Sequence, residues 1–155
     1  MKIGVPKEIK PQETRIGLTP DSVKDLVSNG HQVLVENKGG HEAGFENSHY
    51  VSAGAKIVDK AEDIFNDCEI IVKVKEPLSN EVKMIRENQI VFTYFHLAAA
   101  KELTQGLIDT KSEPKILFKT SLPKLILGIP PPESKSIDLE EIFFFQYSFK
   151  SLFNI

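Results

Sequence analysis

Apolar segments alternate with segments of helical spacing over residues 1–112, and this order restricts the fold more than any other feature of the sequence. The apolar run Glu69–Val74 is typical of a strand that is covered on both faces. Thr19-Pro20 is typical of a helix start, and Asp59 and Ser79 are predicted to cap two further helices. The alternation predicts an α/β fold, a parallel sheet with helices on both faces. The predicted strands are Lys2–Val5, Val33–Val35, Lys56–Val58, Glu69–Val74 and Gln89–Phe95.

The composition of the chain changes near Ser112–Glu113. Residues 1–112 contain seven alanines, four prolines and four phenylalanines. Residues 113–155 contain no alanine and no valine, but five prolines and six phenylalanines. A change this abrupt predicts a domain boundary, with the α/β domain over residues 1–112 and an irregular tail over residues 113–155.

Charge and cysteine content exclude several classes of protein. The net charge is −3 and the pI is about 5.8, so no basic excess favours nucleic acid or an anionic membrane. The single cysteine, Cys68, excludes an internal disulfide framework, and its acidic neighbours disfavour a reactive thiolate. No run of 18 apolar residues occurs, and residues 1–20 lack the apolar region of a signal peptide. These features predict a cytoplasmic protein.

Three chemically active side chains lie near the carboxyl ends of predicted strands. Arg15 lies in the segment after the first strand, whereas Lys75 and His96 directly follow later strands. Ligands of open α/β sheets bind outside the carboxyl ends of the strands, so we expect the three side chains to converge on one edge. Arginine binds a carboxylate through two hydrogen bonds, lysine stabilises negative charge on an oxygen, and histidine transfers protons near neutral pH. The set suits a small anion with a reactive oxygen or nitrogen.

Each of these residues also has a purely structural interpretation. Arg15 could be a solvated loop charge. Lys75 could form a surface ion pair with the adjacent Glu76, worth roughly 0–1 kcal/mol. His96 could be a core histidine bonded to a backbone carbonyl.

Two other patterns do not predict ligand sites. The glycine-rich loop Lys38–Gly44 lacks the G-x-G-x-x-G spacing and contains a carboxylate, so we interpret it as a flexible turn and not as a phosphate cradle. His41 and His49 lack the spacing of metal ligands, so no metal site is predicted.

Four motifs follow one another along the chain: Met1–Glu8 with Glu13–Pro20, Tyr50–Ala55, Val72–Pro77 and Phe95–Ala98. Over about residues 1–112 this series resembles the N-terminal part of alanine dehydrogenases, in order and in register. The resemblance implies a Rossmann-like or flavodoxin-like substrate domain. The proton-translocating nicotinamide nucleotide transhydrogenase α subunit shares the fold and the first two motifs, but its counterparts of the last two look different.

The resemblance implies NAD-dependent oxidative deamination of L-alanine to pyruvate and ammonium, catalysed by a homo-oligomer that acts on a small molecule. In the family's pattern, the arginine matching Arg15 binds the substrate carboxylate, and the lysine matching Lys75 contacts the carboxylate or carbonyl side. The histidine matching His96 acts in acid–base chemistry. The family's catalytic aspartate and its NAD-binding Rossmann domain would follow residue 112, and neither pattern occurs there. We therefore expect a truncated chain that is inactive alone.

Other functions stay open at this point. The chain could resemble a transhydrogenase α-subunit domain, bind 2-oxo acids without turnover, or be a structural remnant that pairs with a full-length subunit. Because the motif register and the composition both change near residue 112, we hypothesise that the reading frame was lost there, or that a different segment was joined.

Overall fold

The computed structural model describes residues 1–95 and 101–109, apart from the side chain of Ile108. His96 and the predicted tail therefore lie outside the described residues. The strands are β1 (Lys2–Val5), β2 (Gln32–Glu36), β3 (Lys56–Val58), β4 (Ile70–Lys75) and β5 (Ile90–Tyr94). The helices are α1 (Pro20–Ser28), α2 (Asn47–Ser52), α3 (Ala61–Asp67), α4 (Ser79–Val82) and α5 (Lys101–Asp109), and a short 3₁₀ helix covers His41–Ala43.

The five strands form one parallel sheet in the order β3-β2-β1-β4-β5. Successive strand side chains point to opposite faces, and helices cover both faces. On the first face, the strands pack with α1 and α2 through Ile3, Val5, Val33, Val35, Ile70, Val72, Val23, Leu26 and Tyr50. On the second face, they pack with α3, α4 and α5 through Leu34, Ile71, Val91, Ile64, Phe65, Val82 and Leu107. This confirms the predicted α/β fold with a doubly covered parallel sheet.

The central strand β1 packs closely against α3 at Gly4. A methyl group on Gly4 would lie 2.3 Å from Ile64 Cγ2 and 2.9 Å from Cys68 Sγ. The absence of a side chain at Gly4 therefore lets α3 approach the sheet at this distance. Burial, together with the nearby Asp67 carboxylate, raises the pKa of the Cys68 thiol to about 11. Cys68 is thus a packing residue with little thiolate character, as the sequence predicts.

Of the three residues predicted to cap helices, the structure confirms one and contradicts two. At α1, the Thr19 side chain accepts a hydrogen bond from the Ser22 N–H, as predicted for an N-cap. The prediction of Asp59 as a cap is wrong, because α3 begins two residues later and Asp59 accepts a hydrogen bond from Asn37. The prediction for Ser79 is also wrong, because Ser79 is the first residue of α4.

The order of the strands reverses at β1. The chain runs from β1 outwards to β2 and β3, then crosses to β4 on the other side of β1. The crevice between the carboxyl ends of β1 and β4 is therefore a topological switch point, where ligands of such sheets bind. Within residues 1–95 and 101–109, no helix is long and apolar enough to cross a membrane.

Candidate functional site

The segment between β1 and α1 borders the switch point on one side. It packs directly on β4, because a methyl group on Gly17 would lie 2.6 Å from the Val72 carbonyl oxygen. An ion pair also joins the two sides of the crevice, between the Lys10 ammonium and the Glu76 carboxylate. These contacts hold the segment that carries Arg15 against the end of the strand that carries Lys75.

Arg15 lies on this segment with its guanidinium held by Glu13. Arg15 Nε donates to Glu13 Oε1 at 2.8 Å, and Nη2 donates to Glu13 Oε2 at 2.7 Å. The Arg15 side chain is 65% exposed, whereas the Glu13 side chain is 7% exposed. The pair uses the Nε edge of the guanidinium, so the edge formed by Nη1 and Nη2 is the one that can bind a second carboxylate. The hydrogen bonds from Arg15 lower the pKa of Glu13 to about 2.

Lys75 is the last residue of β4, half-buried and opposite Tyr94 of β5. Its charge also contributes to lowering the pKa of Glu13, after the larger effect of Arg15. Arg15 and Lys75 therefore lie at the same end of the sheet, where Glu13 pairs with Arg15 and is only weakly affected by the charge of Lys75. Tyr94 lies two residues before His96, the third predicted site residue, whose position is outside the described residues.

A buried ion cluster lies beneath this edge of the sheet and was not predicted from the sequence. Lys73, Glu8 and Glu81 are 1%, 6% and 2% exposed. Lys73 Nζ donates to Glu81 Oε1 at 2.8 Å and lies 3.3 Å from Glu8 Oε2. The second oxygen of Glu81 accepts a hydrogen bond from the Leu78 N–H at 2.8 Å, at the start of α4. One ammonium is thus shared between two carboxylates that come from different parts of the chain.

Glu8 also binds the backbone of β4. Its Oε1 accepts a hydrogen bond from the Val74 N–H at 2.7 Å, and a bond from the Lys75 N–H also favours its charged form. Burial nevertheless raises the pKa of Glu8 above its usual range, because the Lys73 charge and the hydrogen bonds only partly offset the loss of hydration. A carboxyl group with this environment is held in one position by a strand, a side chain and the surrounding core.

One signal in the sequence could have revealed the cluster. Lys73 interrupts the apolar run Ile70–Val74 of a strand that is buried on both faces, and buried lysines are nearly always paired. The identity of the partners was not readable, because Glu8 lies 65 positions before Lys73 and Glu81 lies on a separate helix.

The residues around the switch point do not fit a dinucleotide. Glu8 and Glu13 place two carboxylates on the segment between β1 and α1, and Asp21 adds a third in the first turn of α1, so this segment carries negative charge where a dinucleotide fold offers a phosphate cradle. In the glycine-rich loop, five N–H groups already donate to nearby backbone carbonyls: those of Gly39, His41, Ala43, Gly44 and Phe45. A methyl group on Gly40 would lie 2.7 Å from the Tyr50 ring, so Gly40 serves packing. Among residues 1–95 and 101–109, no cluster of potential ligands could hold a metal ion.

Comparisons with known proteins point to one family. A family model described as the alanine dehydrogenase/PNT N-terminal domain matches residues 4–113. An alanine dehydrogenase of Staphylococcus epidermidis is 51% identical over 111 residues, which cover 72% of this chain and 30% of that protein. An alanine dehydrogenase of Staphylococcus haemolyticus is 45% identical over 135 residues, covering 87% of this chain and 36% of that protein. The second alignment extends beyond residue 112, so part of the predicted tail also aligns with a relative.

Two solved structures share the fold. An L-alanine dehydrogenase matches with a TM-score of 0.69 and 52% identity, over 71% of this chain and 30% of that chain. A transhydrogenase from Sinorhizobium meliloti matches with a TM-score of 0.67 and 26% identity, over 72% of this chain and 33% of that chain. The chain thus spans about a third of the length of the proteins that it matches.

Proposed function

Because the chain belongs to the alanine dehydrogenase/PNT N-terminal domain family, we propose that residues 1–112 form the substrate-side domain of an L-alanine dehydrogenase. The reaction of the whole enzyme is then the NAD-dependent oxidative deamination of L-alanine to pyruvate and ammonium. NAD belongs to a part of such an enzyme outside the described residues, because the switch point of this domain carries carboxylates and no phosphate cradle. The substrate is a small molecule, and the assembly is a homo-oligomer.

The observation that supports this proposal is that the segment carrying Arg15 packs on β4, which ends at Lys75, at the crevice where α/β sheets bind ligands. Arg15 is ion-paired with Glu13 through one edge of its guanidinium, and the other edge can bind a second carboxylate. The carboxylate shared by L-alanine and pyruvate fits that requirement.

Each residue has a distinct role in this proposal. Arg15 binds the substrate carboxylate through the Nη1 and Nη2 edge of its guanidinium. Lys75 contacts the carboxylate or carbonyl oxygen and stabilises negative charge that develops there. His96 gives and takes the proton during interconversion of the amine, iminium and carbonyl forms.

Titration of the purified 155-residue chain with pyruvate, followed by calorimetry or NMR, tests the proposal. We expect binding, and we expect Arg15→Ala to weaken it by about 2–4 kcal/mol, or about 30- to 900-fold in Kd, because the substrate carboxylate loses its charged partner. Lys24→Ala is the matched control, since it removes one exposed positive charge on α1, outside the segment that carries Arg15. Equal affinity of wild type and Arg15→Ala would remove Arg15 from the site.

The transhydrogenase similarity supports a second candidate, a domain that serves a transhydrogenase and binds no 2-oxo acid. The higher identity to alanine dehydrogenase favours the first. The same titration separates them, because only the alanine dehydrogenase domain should bind pyruvate in an Arg15-dependent manner.

A further inference from the structure

Strand β4 contains an irregularity just before Lys75. Val72 lies opposite Phe92 of β5, and Lys75 lies opposite Tyr94, so β4 uses one more residue than β5 over this stretch. An extra residue of this kind is a β-bulge, which bends a strand and changes the direction of its side chains. On the other side of β4, pairing with β1 ends at Gly4 opposite Ile71. The backbone that carries Lys75 is thus beyond its last regular contact with β1.

The Glu8 carboxylate takes the place of the missing strand partner. Its Oε1 accepts the Val74 N–H at 2.7 Å, within the bulge and one residue before Lys75. A hydrogen bond from an amide to a carboxylate is about twice as strong as one to a neutral acceptor. Glu8 lies only three residues after the end of β1, so its side chain continues the β1–β4 contact past the end of the strand.

Glu8 is itself held in place from the opposite side. Its Oε2 is buried and makes no hydrogen bond within the part of the chain that the structure describes, and Lys73 Nζ at 3.3 Å supplies the compensating charge. Lys73 is in turn fixed by its 2.8 Å hydrogen bond to Glu81. The carboxylate of Glu8 can therefore neither rotate into solvent nor exchange its partner without leaving a buried charge unpaired.

We propose that Glu8 is a positioning residue for the substrate site: its carboxylate fixes the bulge of β4 and thereby directs Lys75 towards the bound carboxylate. The proposal rests on the role given to Lys75 under the proposed function. Glu8 does not touch the substrate and acts through the backbone of Val74 and Lys75. Lys73 and Glu81 hold Glu8 in the orientation that this role requires.

Two substitutions of Glu8 separate positioning from charge. Glu8→Gln keeps an oxygen that can accept the Val74 N–H, whereas Glu8→Ala removes it. In the 155-residue chain we expect Glu8→Ala to move the amide NMR signals of Val74 and Lys75 and to weaken pyruvate binding about tenfold or more. We expect Glu8→Gln to leave pyruvate affinity within about threefold of wild type, because the acceptor is retained.

Glu69→Ala is the matched control. The Glu69 carboxylate also accepts a backbone N–H, that of Lys2 at 2.7 Å, but Glu69 lies just before β4, at the opposite end of the strand from the bulge. We expect the Val74 and Lys75 signals and the pyruvate affinity of this variant to stay close to wild type. Equal weakening of binding by Glu69→Ala and Glu8→Ala would overturn the proposal, because the effect would then be general destabilisation.

The NMR measurement decides the role of Glu8 even if pyruvate does not bind. Absence of pyruvate binding to wild type contradicts the proposed function, whereas unmoved Val74 and Lys75 signals in Glu8→Ala contradict the role of Glu8. If Glu8→Ala does not fold, amide exchange of the wild type gives the answer. We expect the Val74 amide proton to be protected by Glu8, and exchange as fast as in an exposed loop would overturn the proposal.

Discussion

Glu13 and Arg15 show how two neighbouring charges can prepare a site. A lone arginine on an exposed segment samples many rotamers, and binding an anion requires those rotamers to be lost. The side-on pair with Glu13 already restricts the guanidinium and leaves its outer edge for a second anion. Glu13, with its nearly covered side chain, is therefore as much a part of the proposed site as Arg15.

The pH dependence of stability tests the Glu13–Arg15 pair. The pKa of Glu13 is lowered to about 2 in the folded chain, so the unfolded state binds more protons between about pH 4.5 and pH 2. Stability from this group is present above about pH 4.5 and is lost as the pH falls through about 2. We expect the Tm difference between wild type and Glu13→Gln to shrink on acidification from pH 6 to pH 2.5. Glu42→Gln, which changes an exposed carboxylate, is the control, and an identical pH profile for both variants would contradict the prediction.

The packing of α3 on β1 depends on the absence of a side chain at Gly4. Gly4 lies in the central strand, where the sheet is buried on both faces and a helix passes directly over the backbone. Ile64 and Cys68 fill the space that a side chain at this position would take. Because protein interiors are close-packed, this contact has no slack to absorb a methyl group.

Replacement of Gly4 by alanine tests this packing. The added methyl group would lie 2.3 Å from Ile64 Cγ2 and 2.9 Å from Cys68 Sγ, so these side chains or α3 must shift. We expect Gly4→Ala to lower the free energy of unfolding by about 1–3 kcal/mol, measured by urea denaturation. Gly106→Ala, within α5, is the contrasting variant, because its added methyl group would meet Val82 Cγ1 of α4 at an ordinary contact distance of 3.4 Å. We expect it to stabilise the chain by about 0.5–1 kcal/mol, and a larger loss than in Gly4→Ala would contradict this account.

At the scale of the whole molecule, the strand order decides where the charges meet. Ile3 of β1 and Ile70 of β4 are 67 positions apart in the sequence, yet they pair side by side next to the switch point. The segment after β1 carries Arg15, and β4 ends at Lys75. The proposed domain boundary near residue 112 leaves this crevice wholly within the first part of the chain, as far as the structure describes it.

The purified chain provides a direct test of the proposed division of labour. We expect no formation of NADH from L-alanine and NAD, because the described residues offer no dinucleotide cradle and the chain spans about 30% of its curated relatives. Absorbance at the NADH band measures this, with the full-length alanine dehydrogenase of Staphylococcus epidermidis as the positive control. Turnover by the 155-residue chain would overturn the proposal that this chain lacks a working cofactor site.

Much of the fold could be predicted from the sequence because its signals are local. The apolar runs predicted the five strands of the described sheet. Thr19 predicted the start of α1, because its side chain bonds to Ser22, only three positions later. The predictions for Asp59 and Ser79 were wrong because a polar residue near the start of a helix is not always its N-cap. Arg15 and Lys75 could be placed at one edge because parallel strands end on the same side of a sheet.

The buried cluster of Lys73, Glu8 and Glu81 could be decided only by the tertiary structure. A lysine within a strand has a clear local pattern, but which carboxylates compensate its charge depends on segments that meet only in the folded chain. The same holds for Glu8 and the β4 bulge, which are 66 positions apart in sequence and joined by a 2.7 Å hydrogen bond. The sequence by itself determined the order of strands and helices through local periodicity. The folded chain decided which charges are buried together, because burial removes water and makes each buried charge depend on its neighbours.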